Sequence, residues 1–77
     1  MTHLTDTELE ILSATAKGKT SRDIAAETGR ALSTVKSMKS RLVKKCGVKN
    51  INEAVFKSVH EIAAWRDGQP RHNGQED

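Results

Sequence analysis

One cysteine, Cys46, is all the thiol the chain has. No internal disulfide can form, and no cage of cysteine ligands can hold a metal. The three histidines, His3, His60 and His72, stand too far apart to show ligand spacing. No metal or other cofactor is therefore expected. Long apolar runs are missing as well, and nothing approaches the ~20 residues that cross a bilayer. The N-terminal MTHLTDTELE has neither the basic start nor the apolar stretch of a signal peptide. The expectation is a cytoplasmic protein with no membrane partner. A serine–histidine–acid set, a phosphate-cradling glycine loop and paired acids in an apolar setting are also lacking, which sets enzyme function aside.

Charge is present, and it is concentrated. Lys36, Lys39, Arg41, Lys44, Lys45 and Lys49 form a run of six basic residues with no acid among them. The remaining seven basic residues face ten acids, so the net charge of +3 originates in this segment. The same stretch carries Val35, Met38, Leu42 and Val43 at helical spacing. One apolar stripe on an otherwise cationic helix anchors that helix and turns positive charge outward. The usual partner of such a surface is a polyanion, most often nucleic acid.

Seventy-seven residues make one small domain. A chain of this size buries only ~60% of its unfolded surface, so its helices must pack well or its subunits must associate. Thr5-Asp6-Thr7-Glu8 reads as a capping box, with Leu4 and Leu9 spaced as a hydrophobic staple. Ile11 and Leu12 supply the buried side of this first helix, with Thr15 and Ala16 a turn later and Gly18 as the stop. Thr20, three residues before Asp23, opens a second helix that turns Ile24 and Ala25 inward and ends at Gly29. A third helix is predicted from Leu32 to Lys45, starting from a poor cap at Ala31 and ending at Gly47, after which Val48 packs inward.

Asn52 is the predicted cap of a fourth helix that runs to about Trp65, with Glu53 in its first turn. Val55, Val59 and Ile62 form its apolar stripe, with Phe56 and Ala63 alongside. From Arg66 onward the chain has no apolar residue and reads as a disordered tail. The expected fold is all-α: a compact four-helix domain over residues 1–65 and a tail over 66–77.

Helices over Ser21–Thr28 and Leu32–Lys45, joined by a short turn, make a helix-turn-helix pair. The amino end of the earlier helix, where Arg22 lies, can meet phosphate. The later helix is narrow enough for a major groove, where base edges are distinguishable. Leu4-Thr5, Glu8, Ile11-Leu12, Ala16, Gly18, Asp23-Ile24-Ala25, Thr34-Val35-Lys36, Lys45, Gly47-Val48 and Glu53-Ala54-Val55 follow one another at matched spacing. That series resembles the DNA-binding domain of LuxR/GerE/NarL-type bacterial regulators, over residues 4 to about 65. Where the family usually has Leu, Ile, Ser or Thr, His, Leu and Arg, this chain has Thr28, Arg30, Ala31, Met38, Cys46 and Ile51.

The resemblance implies a transcription factor that binds double-stranded DNA, commonly as a homodimer through its fourth helix. It places Thr34 and Lys36 against the backbone and groove, Lys45 against phosphate, and Ser37 and Ser40 on the groove-facing side. Lys39 and Lys44, from the basic run, and Arg30, in the turn, join Arg22 as candidate DNA contacts. Val55, Val59, Ile62 and Trp65 are the candidate dimer face, although Trp65 could instead fold back over the first helix. Lys57, outside the basic run, is expected to be a neutral control. Two rival readings stand beside this one. In one, an interaction module pairs with a larger regulator through its fourth helix; in the other, a sigma region-four-like domain binds RNA polymerase.

Overall fold

Thr5 and Glu8 close the first helix from both sides. In the computed structural model, which describes residues 3–68, the Glu8 amide donates to Thr5 Oγ1 at 3.2 Å and the Thr5 amide donates to Glu8 Oε1 at 2.8 Å. Helix α1 (Asp6–Ala16) follows from this box. Leu9, Ile11, Leu12 and Ser13 are its buried residues, whereas Ala16, expected inside, is exposed. Thr20 and Asp23 repeat the device at the start of α2 (Ser21–Thr28), with bonds of 3.0 and 3.1 Å. The amide and hydroxyl of Thr20 hold the Asp23 carboxyl below the usual carboxylate range.

Gly29 ends α2 in the left-handed region at φ 69°, which a side chain would resist. After Arg30 and Ala31 begins α3 (Leu32–Cys46), the longest helix among the described residues. Val35, Leu42 and Cys46 are buried on one side of it, and Met38 packs partly against the core. Gly47 closes it at φ 68°, again left-handed. There the Val48 amide donates to the Val43 carbonyl at 3.1 Å, as helix-ending glycines arrange.

The predicted fourth helix is two helices, α4 (Ile51–Lys57) and α5 (Val59–Asp67). The cap of α4 is Asn50 rather than Asn52, since Asn50 Oδ1 accepts the Glu53 amide at 2.9 Å. Ser58 makes the break. Its ψ is 15°, far from the helical value of about −42°, and its amide is shared between Ala54 and Val55 in a tightened turn. The bend lets both pieces lie against α1. The domain is all-α, as expected, with five helices among the described residues instead of four. Arg66 and Asp67, assigned to the tail, still belong to α5, and Gly68 caps it; the remainder of the expected disordered tail, 69–77, lies outside the described residues.

The buried line along α4 and α5 is Ala54, Ser58 and Ile62, not the heavier set of Val55, Val59 and Ile62. Small side chains at 54 and 58 allow this pair to sit close to its neighbours. Trp65 is half-buried and packs against the core, with its indole nitrogen covered and without an acceptor among the described residues. It shares a recess of about 210 Å³ with Ala14 and Lys17, so it does lie over α1.

A candidate nucleic-acid interface on the third helix

With Val35, Leu42 and Cys46 turned inward, helical geometry settles what α3 presents outward. Ser33, Ser37, Ser40 and Lys44 fall at i, i+4, i+7 and i+11, on the side opposite the buried three. All four are exposed. Lys36 flanks that line on one side and Arg41 on the other, and both are exposed too. Thr34 lies on the first turn, next to Ser33, and is exposed. The result is a row of short hydroxyls between cations: groups able to donate and accept along the middle, and positive charge at the edges.

Electrostatic partners divide the cations into two sets. Lys19 holds Glu27 at 2.7 Å, Arg30 reaches Glu10 at 3.4 Å and Lys45 holds Glu8 at 2.7 Å. By contrast, no ion pair among the described residues involves Arg22, Lys36, Lys39, Arg41 or Lys44. Lys39 sits half-buried toward the core side, and burial pushes its ammonium pKa down. Arg22 is exposed in the first turn of α2, one helix away from the row.

The candidate DNA contacts therefore separate. Thr34, Lys36, Ser37, Ser40 and Lys44 share the outer side of α3, with Arg22 on the neighbouring helix. Lys39 lies at the margin, and Lys45 and Arg30 are engaged with acids of α1. Burial raises the Glu8 carboxyl, but bonds and charge from Lys45 and the bonds from Thr5 outweigh it and hold the pKa below the usual Glu value. Arg41 and Ser33 are the outward residues that the motif reading passed over. Helix phase relative to Val35 and Leu42 was the signal that would have found them.

On α4 and α5, Phe56 is 83% exposed and Val59 52%, the two large hydrophobics left in solvent among the described residues. Of the four residues proposed as a dimer face, Ile62 is buried in the core at 4% exposure. Val55 and Trp65 are partly buried against that core, and Val59 alone is exposed. The outer apolar surface thus centres on Phe56. Thr28, which replaces the family's usual leucine, satisfies its hydroxyl within its own helix by donating to the Ile24 carbonyl at 2.7 Å.

Among the described residues, no group of three or more His, Cys, Asp or Glu side chains is placed to hold a metal ion. No helix there is long and apolar enough to cross a membrane. Helices α2 and α3, joined by Gly29, Arg30 and Ala31 and packed on one another, define a helix-turn-helix protein. The family model GerE, described as bacterial regulatory proteins of the luxR family, matches residues 2–63. The chain belongs to this family of DNA-binding transcription regulators. Neither the curated proteins nor the solved structures compared with it supply a match.

Proposed function

We propose that the chain is a sequence-specific regulator that lays α3 in the major groove of duplex DNA and pairs with a second copy through α4 and α5. The observation that carries this reading is the row of Ser33, Ser37 and Ser40 between Lys36, Arg41 and Lys44. Among the described residues these cations have no acid to hold, whereas Lys19, Arg30 and Lys45 each hold one. Phosphate contact from Lys36, Arg41, Lys44 and Arg22 supplies register, and the hydroxyls meet base edges. Serine accepts and donates to several bases, so specificity arises from the combination and from the paired half-sites.

Phe56 and Val59 support the pairing, because an exposed aromatic on a domain this small is a costly feature unless something covers it. The same surface also serves the second reading, in which a larger regulator of similar fold is the occupant.

The test begins with duplexes selected from a random pool by the purified protein, titrated at several salt concentrations. Lys36→Ala should weaken binding about tenfold and reduce the log–log salt slope by about 0.9, one phosphate's share. Phe56→Asp should leave the helical fold intact and convert a dimer to a monomer in light scattering. Failure to enrich any duplex would remove the DNA-reading conclusion. A parent protein that stays monomeric on and off DNA, yet captures a larger regulator, would favour the second reading.

A further inference from the structure

Val35 and Leu32 pack the start of α3 against the core, but capping hydrogen bonds close the helix at one end only. At its start Ala31 has no side-chain oxygen, and no side-chain cap bond is made. At its finish the carbonyls of Val43 and Lys44 are taken up by the turn at Gly47. The carbonyl of Cys46, the last residue of α3, accepts a hydrogen bond from Lys57 Nζ at 3.0 Å. Lys57 is the last residue of α4, so the donor arrives from a different helix. It places a cation at the negative end of the α3 dipole, where a cation is favourable. Such a charged bond in partly buried surroundings is stronger and more directional than a neutral one.

The position of this bond gives it leverage. Fifteen residues of helix span about 22 Å. A tilt of ~5° about the Cys46 end would carry the first turn, with Ser33 and Thr34, through about 2 Å over that length. Hydrogen bonds to base edges do not survive a displacement of that size. Attraction between Lys36 or Arg41 and the nearest phosphate would survive it, because long flexible cations adapt.

We propose that Lys57 is a positioning residue for DNA reading. It holds the Cys46 carbonyl and fixes the angle at which α3 offers Ser33, Ser37 and Ser40, without touching DNA itself. The inference rests on the proposed DNA-binding function. It also reverses the expectation that Lys57 is a neutral control.

The experiment compares parent, Lys57→Met and Lys57→Arg on a duplex selected by the parent and on a scrambled duplex, across a salt series. Circular dichroism at the assay temperature confirms folding, and Lys57→Gln replaces the Met variant if that one unfolds. Lys57→Met should bind the selected duplex about tenfold more weakly, the consequence of losing one charged hydrogen bond. Its scrambled-duplex affinity and salt slope should match the parent, and Lys57→Arg should recover most of the loss. An equal loss on both duplexes, with a slope reduced by about 0.9, would make Lys57 a phosphate contact and overturn the proposal. A lower melting temperature with an unchanged selected-to-scrambled ratio would overturn it too, leaving Lys57 a purely structural role. A parent that fails to discriminate the two duplexes sinks the DNA-reading conclusion and this inference together. A discriminating parent matched by Lys57→Met sinks this inference alone.

Discussion

The two ends of α3 are built on opposite principles. At the Cys46 end, Leu42 and Cys46 are buried, Gly47 turns the chain, Lys45 holds Glu8 and Lys57 holds the last carbonyl. At the Leu32 end, Val35 is in the core, yet the helix start has no cap and the exposed residues are Ser33, Thr34 and Lys36. Both earlier helices begin with full capping boxes, which sets the bare start of α3 apart from them. The difference separates tasks along one helix. Lys45 and Lys57 at the finish serve the fold, while the start leaves its first-turn amides open to an outside acceptor, and phosphate is the acceptor that the proposed function supplies.

Emptying the fastened end should have the largest effect. Leu42 is fully buried there, and Leu42→Ala should cost about 2–5 kcal/mol through lost burial and a residual cavity. That is a large share of the stability of so small a domain, roughly 5 kcal/mol or a little more. Urea denaturation measures it directly. A cost under about 1 kcal/mol would mean that this end is loosely packed, and the contrast between the ends would vanish.

Capping the bare end comes next. Ala31 already has the extended backbone that an N-cap requires, with φ −68° and ψ 146°, so a serine fits without rearrangement. Ala31→Ser should add about 1 kcal/mol and raise the melting temperature by about 4–8 °C. The same hydroxyl competes with phosphate for the first-turn amides, so affinity for a selected duplex should fall while stability rises. Effects of opposite sign would sharpen the division of tasks; a gain in both would show that the open start is merely a defect.

Much of this arrangement is legible from local spacing. Thr5 with Glu8 and Thr20 with Asp23 are pairs three residues apart, so the chain alone announces both capping boxes and the starts of α1 and α2. The end of α2 follows from another short-range cue, Gly29, which also sets the start of α3 just beyond it. The break at Ser58 was hidden because periodicity weighs large apolar residues, and Val55, Val59 and Ile62 make a persuasive stripe. Packing chose Ala54 and Ser58 instead, since close approach to α1 rewards small side chains. Partners across long separations were equally out of reach. Lys45 meets Glu8 across 37 positions and Arg30 meets Glu10 across 20, so their roles emerge only once the helices are packed.

The smallest effect isolates the ion pair at the fastened end. Glu8 accepts from both the Thr5 amide and Lys45, and its carboxyl titrates below the ordinary Glu value. A carboxylate stabilised in this way contributes fully above the unfolded value of about 4.3 and loses its contribution as pH falls through the lowered folded value. Glu8→Gln keeps an oxygen for the Thr5 amide, because glutamine also completes a capping box, and removes only the charge. At neutral pH the variant should be less stable by about 0.5–1 kcal/mol, the scale of a partly exposed pair. Urea curves taken through the acid range should show the gap closing, because the parent loses its carboxylate charge there and the variant has none to lose. A gap that persisted in acid would show that the bond geometry at Glu8, rather than its charge, holds this end of α3 to α1.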